Sequence, residues 1–260
     1  NVFIDAPIVF DGGGLALEKA KFRGTFDAAA GHLTIDEILA HRGAFQLTLA
    51  GELQDNPVSI GVVLNGGFKD LSVADLKRLW PQGAAPGARD WVMANVHEGV
   101  INEGTVAINI PAGAITDERI PDEMMNISFA MDGMRMTYLD GLPDMTKVKG
   151  SATVFGDTFK VQLTNGTIGT VTLNEGSFTI DQFHIRGAPG TVTGSFSGPT
   201  QDIMTLLDKP RLGYPTRYGI KPSETGGKAV GKFTFVIPML RDVKAEDMGA
   251  AVNGIVGVTV

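Results

Sequence analysis

The stretch GDTFKVQLTNG, residues 156–166, shows the pattern that decides the fold. After a Gly-Asp turn signal, Phe159, Val161 and Leu163 alternate with polar residues. Successive side chains of a β-strand point to opposite faces of a sheet, so these three apolar residues share one face. The stretch therefore predicts a strand with one apolar face, of the kind that antiparallel sheets contain.

The same alternation recurs on both sides of this stretch. It appears in AFQLTLAG (44–51), PVSIGVVLNG (57–66), TVAINI (105–110), GSFTIDQFHIRG (176–187) and GKFTFVIP (231–238). Turn signals such as NGG, MDGM and GAPG occur among these segments. The pattern predicts a mainly β chain, built as a meander of antiparallel strands with a few short helices.

Composition narrows the range of functions. The net charge of −7 argues against a nucleic-acid partner, because binding phosphates requires a basic surface. The chain has no cysteine, which excludes disulfides, zinc-thiolate sites and cysteine nucleophiles. No run approaches the ~20 apolar residues that span a bilayer. Because both ends of the chain have strand-like sequence, we expect it to be an excised piece of a longer protein.

The sequence contains little that indicates a catalytic or metal-binding site. HLTIDEILAH places His32, Asp36, Glu37 and His41 near one another, but the spacing does not match a zinc-binding HExxH helix. We interpret this segment as a strand edge with solvated side chains. No Ser/His/Asp set can be selected either. We therefore expect no catalytic residues, no metal and no cofactor, and a protein that is not an enzyme.

Two short helices that contain both tryptophans interrupt the strands. Residues 72–81 begin with an N-cap serine and end in a proline, which indicates a helix. Residues 86–98 start with a proline and lead to a C-cap at Gly99. We predict that this helical pair packs on the sheet, with Trp80 and Trp91 covering apolar surface that the strands leave open.

A weak internal repeat indicates how the strands are organised. Residues 17–53 resemble residues 148–198: each has paired strands, a TIDE or TIDQ step, and a return strand ending in glycine. Repeating strand modules with one apolar face can stack into an elongated sheet. The predicted segments are a β-repeat unit at 1–70, the helical pair at 71–100, a central β-repeat unit at 101–226 that includes a helix at 200–210 and a long loop, and the truncated start of a further β-unit at 227–260.

The tryptophan block also carries a family resemblance. A helix ending in LWP, a Pro/Gly linker and then ARDWVMANVHEGVINEGTVAINIP are together similar to the middle of AsmA-like proteins, specifically the YhdP-like branch. Downstream, YLDGLPDMTKVKGSATVFGDTFKVQLTNGTIG is similar to the same family. The matching residues are Trp80, Pro81, Ala88, Trp91, Asn95, Gly99 and Val100 in the first block, and Leu142, Pro143, Gly150, Ala152, Gly156, Phe159, Val161 and Gly166 in the second.

The resemblance implies a periplasmic segment of a Gram-negative envelope protein whose inner-membrane anchor lies outside this chain. It implies an elongated, curved antiparallel sheet whose apolar groove carries phospholipid acyl chains towards the outer membrane. Other envelope proteins are further candidate partners. Strand parity then predicts the groove residues Phe45, Leu47, Leu49, Val58, Ile60, Val62, Phe159, Val161, Leu163, Phe178, Ile180, Val192, Phe196, Phe233, Phe235 and Ile237.

Two other hypotheses stay open on the sequence. One is a structural or adaptor domain of the envelope, with a filled, closed β-core. The other is a hydrolase on a β-scaffold, which requires two carboxylates flanking a cleft if the substrate is a glycoside. An open apolar groove favours lipid transfer, a filled core favours the adaptor, and a polar cleft with facing acids favours the hydrolase.

Overall fold

The computed structural model describes residues 2–4, 15–82, 85–116, 119–185, 187–210, 212–239 and 249–255. Within them the strands are β1 (Val2–Ile4), β2 (Leu15–Leu17), β3 (Lys19–Asp27), β4 (His32–Arg42), β5 (Phe45–Gln54), β6 (Gly61–Ser72), β7 (Val96–Ile110), β8 (Met125–Met136), β9 (Met145–Phe155), β10 (Thr158–Ile168), β11 (Val171–Asp181), β12 (Pro189–Pro199), β13 (Lys228–Pro238) and β14 (Gly249–Ile255). The helices are α1 (Val73–Leu79), α2 (Pro86–Asn95), α3 (Thr200–Leu207) and α4 (Tyr214–Arg217), with single 3-10 turns at Asp122–Met124 and Pro222–Glu224.

The strands β3 to β14 form a sheet in which each strand lies beside its neighbours in the chain. The pairs from β3 to β7 and from β11 to β14 are antiparallel, and β1 pairs with β2 apart from this sheet. Tight turns explain the order: Arg42 pairs with Phe45 across a turn in which Gly43 has φ 58. This left-handed conformation suits a residue without a Cβ. The prediction of a mainly β, antiparallel fold with few short helices is confirmed.

The chain divides into two compact units. Unit 1 comprises Asn1–Asp132 and Ala152–Thr158, and unit 2 comprises Gly133–Ser151 and Phe159–Val260. Each unit contains a helical insertion between two adjacent strands of the sheet, α1 and α2 in unit 1 and α3 and α4 in unit 2. The division into four segments from the sequence stays a prediction, because repeat boundaries and compactness are different properties.

The structure corrects the ends of the tryptophan-bearing helices. Helix α1 has the predicted N-cap, since Ser72 Oγ accepts a hydrogen bond from the Asp75 amide at 3.0 Å. Helix α2 ends at Asn95, and Val96 already has extended backbone and begins β7. The predicted C-cap at Gly99 is therefore wrong: the glycine lies inside β7. The β-branched residues after Asn95 favour the strand over a further helical turn.

Two further boundaries differ from the sequence-based prediction. Helix α3 ends at Leu207 rather than at residue 210, and the loop after it contains α4 and a 3-10 turn. Val58 and Ile60 do not belong to a strand, because β6 begins at Gly61. The alternating pattern simply continues into the preceding loop, where Asn56 Oδ1 accepts a hydrogen bond from the Val58 amide at 2.9 Å.

Candidate functional site

In unit 1, the strand register collects apolar side chains on one side of the sheet. Directly paired residues on neighbouring strands share a face. Such pairs are Phe22–Ile38, Ile38–Leu49, Leu47–Phe68, Leu53–Val62, Val62–Ile110 and Leu64–Ile108. The alternate residues of β5, Gln46, Thr48 and Glu52, point to the opposite side and are exposed. We call the first surface the apolar face of unit 1.

In unit 2, the last strands build a second apolar face. The pairs that define it are Phe178–Val192, Ile180–Gly190, Val192–Phe235, Gly194–Phe233, Phe196–Gly231 and Gly190–Ile237. Strand β10 also contributes to this face, through Phe159 and Leu163 at the two ends of its apolar segment. The ring of Phe159 meets that of Phe178 edge-on, with centroids 6.2 Å apart, and Leu163 lies beside Gly176. Val161 shares the face by alternation.

The other side of unit 2 consists mainly of hydroxyl-bearing side chains. Ser177 and Thr193 are cross-strand partners whose hydroxyl oxygens lie 2.6 Å apart. Thr179 pairs with Thr191, and Thr193 also pairs with Thr234. These groups bind one another or water, so this surface gains little from contact with an apolar ligand. This side of unit 2 is thus more polar than the apolar face, although Val230 and Val236 are exposed on it.

The predicted groove residues lie at three levels of exposure. Phe45 is buried, whereas Val58 and Ile60, which lie in the loop before β6, are 65% and 57% exposed. The other thirteen are half-buried. Phe22 and Phe26, which the prediction omitted, are 60% and 64% exposed on the outermost strand β3. The alternation Phe22-Gly24-Phe26 in KAKFRGTFD was the signal that could have identified them.

Glycines on the apolar faces lie against phenylalanine rings. Phe178 lies against Gly190, and Phe196 and Phe233 lie against Gly231 and Gly194 of the neighbouring strand. A Cβ at Gly194 would approach the Phe233 ring to 2.6 Å, so any residue other than glycine would displace the ring. Because these rings lie over glycines, which have no side chain, they form a shallow aromatic surface on the face. The surface has no hydrogen-bonding side-chain group.

Helix α1 closes one end of the apolar face of unit 1. Phe45, Leu71 and Ile101 form a buried cluster there, and Leu76 and Leu79 of α1 pack against it. The helix is held in place by Arg42, whose Nε–H donates to Asp75 Oδ1 at 2.7 Å. This pair is only partly exposed, so water screens it less than a surface ion pair.

The predicted covering role of Trp91 stays a prediction. Its side chain is 41% exposed, and none of the α2 residues is buried. Trp80 is half-buried at the C-cap of α1. The leucines of α1 pack against the buried cluster at the apolar end of the sheet. An amphipathic helix is oriented by the stripe that buries most apolar area, and in α1 this stripe is formed by Leu76 and Leu79.

We expect Leu76→Ala to lower the melting temperature of unit 1 by about 5 °C, because truncating a packed leucine costs about 2 kcal/mol. Trp91→Ala is the matched control on the neighbouring helix, and it should shift the transition by about 1 °C or less because its ring already contacts water. Differential scanning calorimetry compares the two variants. A larger shift for Trp91→Ala would show that the indole supports the sheet after all.

In unit 2, the helical insertion packs on the apolar face at two places. Ile203 of α3 is buried with Val171 and Ala229, and Leu206 and Leu207 pack around this cluster. Farther along the chain Leu212 is buried against a second group, which comprises Leu139, Leu142, Leu207, Tyr214 and Ile237. The sequence predicts the helix but not these contacts, because no local pattern indicates which strand a distant leucine covers.

The ionisable groups singled out from the sequence lie on the polar side of unit 1. His32 Nε2 lies 3.2 Å from Glu52 Oε2, and His41 is the cross-strand partner of Lys19 and Gln46. A hydrogen bond from Lys21 holds the pKa of the Glu37 carboxyl below its ordinary value. Within the described ranges, no three His, Asp or Glu side chains come close enough to hold a metal ion.

Comparison with protein-family models, curated proteins and solved structures finds no significant match for this chain. None of the helices in the part of the chain that the structure describes has the length and apolar composition of a membrane-spanning helix.

Proposed function

We propose that this chain is a non-enzymatic lipid-binding segment of an AsmA-like envelope protein. Its apolar faces would shield phospholipid acyl chains during transfer between the inner and outer membranes. In this proposal the chain works in the periplasm, and the parent protein is anchored in the inner membrane by a segment outside this sequence. The observation that carries the proposal is the half-buried apolar face of each unit, with a polar surface opposite.

The chemistry of the faces supports an acyl chain as the occupant. A contiguous, partly exposed apolar surface is the usual mark of an interaction site. Each methylene that leaves water contributes about 0.8 kcal/mol, so about ten methylenes covered by the face contribute about 8 kcal/mol, which corresponds to an affinity of the order of 1 μM. The side chains on the face are Phe, Leu, Ile and Val, which form no hydrogen bonds, and an acyl chain requires none.

Photolabelling tests this proposal directly. The purified protein is mixed with phosphatidylethanolamine vesicles that contain a phospholipid with a diazirine in its acyl chain, and labelled residues are mapped by mass spectrometry. We expect label on the apolar faces, at residues such as Leu49, Val192 and Phe235, and little on Gln46 or Thr193. Label spread equally over both sides of the sheet, or none at all, would refute the proposal.

The experiment also separates the alternatives. An adaptor with protein partners would leave the faces unlabelled by lipid and protected when its partner is added. A glycoside hydrolase would require a polar cleft between facing carboxylates, and any hydrolase would consume its substrate rather than retain it. A labelled apolar face with unaltered lipid supports transfer over both.

A further inference from the structure

The insertion between β12 and β13 forms a strap over the apolar face of unit 2. We define the strap as residues 200–210 and 212–227, which include α3, α4 and a 3-10 turn. Its α3 residue Ile203 packs at the end of the face where β13 begins, beside Ala229. Leu212 packs against Ile237, near the other end of β13. The leucines of the strap therefore occupy apolar surface of the kind that an acyl chain would cover.

Several features make the strap easy to displace. Helix α3 has only eight residues, which is too short to be stable without its packing. The Thr200 hydroxyl is buried without a hydrogen-bond partner among the described residues, which is unfavourable while α3 is docked. At the base, the Thr200 amide donates to the Gly227 carbonyl at 3.0 Å, so the two ends of the strap lie together. Gly227 has φ 78 and follows Gly226, which provides a hinge.

The outer part of the strap keeps its own shape. Asp208 Oδ1 accepts a hydrogen bond from the Thr216 amide at 3.0 Å, and Lys221 Nζ lies 2.7 Å from Glu224 Oε1. These contacts lie within the strap and do not join it to the sheet. A side-chain hydrogen bond from Thr170 Oγ1 to Asp202 Oδ2, at 2.6 Å, ties α3 to the turn before β11. When the apolar side chains of α3 leave the face and the Thr170 bond breaks, α3 loses the packing that stabilises it, while the bonds of Asp208 with Thr216 and of Lys221 with Glu224 can remain.

We infer that the strap is a lid that exchanges places with lipid: Ile203, Leu207 and Leu212 cover the apolar face of unit 2 when it is empty, and an acyl chain displaces them when it binds. This inference rests on the proposed function, because it takes the acyl chain as the ligand. The exchange replaces one apolar contact by another, so neither state exposes the face fully to water.

A covalent lock tests the lid. The chain has no native cysteine, so Leu212→Cys combined with Ile237→Cys places the only two thiols at a packed contact. The two thiols are joined by oxidation or, if the sulfurs lie too far apart for a disulfide, by a short bismaleimide. Photolabelling with the diazirine phospholipid is then mapped separately on the two units. The unlinked double variant is the matched control, and unit 1 is the internal control.

Locking the strap should lower the label on β11 to β13 by at least about fivefold, because it removes the lipid-competent state, and should leave the label on β3 to β7 unchanged. Equal labelling of locked and unlocked unit 2 would show that the strap is a fixed wall and overturn the lid. Absence of label from both units of the wild-type protein would instead refute the proposed function.

Hydrogen exchange of the wild-type protein gives a second readout that needs no substitution. Phosphatidylethanolamine vesicles should speed exchange at the amides of Asp208 and Leu212, which donate to Met204 and Lys209 in the docked strap. Amides in the ladder between β12 and β13 should exchange as before. Strap amides that are equally or better protected with vesicles present would contradict displacement.

Discussion

Val161→Asp is expected to leave unit 2 folded and to reduce its labelling by acyl-chain diazirine at least about tenfold. Val161 lies on the apolar face between Phe159 and Leu163 and is half-buried, so a carboxylate there keeps contact with water in the empty protein. An acyl chain laid over the same position would have to strip that water away. Desolvating an unpaired charge costs several kcal/mol, and about 1.4 kcal/mol corresponds to each factor of ten in affinity.

The matched control for this charge is Gln162→Asp, one residue away on the exposed polar side of β10. It should change neither the circular dichroism spectrum nor the labelling. If Val161→Asp unfolds unit 2 while Gln162→Asp does not, the face is a sealed core, and this result would support the adaptor hypothesis. If Val161→Asp folds and is labelled like the wild type, acyl chains do not use this face.

Gly66→Ala is expected to destabilise unit 1 strongly, by about 3 kcal/mol. Gly66 pairs with Leu49, where strands β5 and β6 approach closely. A Cβ at this position would collide with the Thr48 carbonyl oxygen and lie 2.9 Å from Leu49 Cα. Both atoms belong to the backbone, so the clash cannot be relieved by rotating a side chain. The pairing of β5 with β6 should weaken, and with it the apolar face that these strands share.

Chemical denaturation followed by tryptophan fluorescence measures this change, since Trp80 lies beside α1, which packs on the end of the same face. Gly87→Ala is the control, because no atom lies within 4 Å of a Cβ there and alanine favours the helix. The control should retain or slightly raise the free energy of unfolding. A loss below about 1 kcal/mol for Gly66→Ala would show that the strands separate easily and that the glycine does not define the face.

Alternation predicted the fold class and the faces of single strands because it is a local property of the chain. Phe159, Val161 and Leu163 share a side of β10, as do Phe233 and Phe235 of β13, for the geometric reason that strands have a period of two. The same rule failed at Val58 and Ile60. Alternation alone cannot distinguish a strand from an extended loop, and hydrogen bonding to a neighbour decides the difference.

The contacts of the covering helices could not be predicted, because they join distant parts of the chain. The placement of Phe233 against Gly194 follows from the register of β12 with β13, which neither segment specifies alone. The contact of Leu212 with Ile237 likewise joins a loop to a strand. The packing of Leu76 and Leu79 on the buried cluster of unit 1 was likewise not predicted.

Native mass spectrometry of the protein after gentle purification from a Gram-negative host tests the central claim most directly. We expect added masses that match intact phospholipids. Their removal by a delipidating wash should leave a folded protein that regains phospholipids from vesicles. Val161→Asp should carry less lipid than Gln162→Asp prepared in parallel. A wild-type protein that is folded, carries no lipid and acquires none from vesicles would contradict the account.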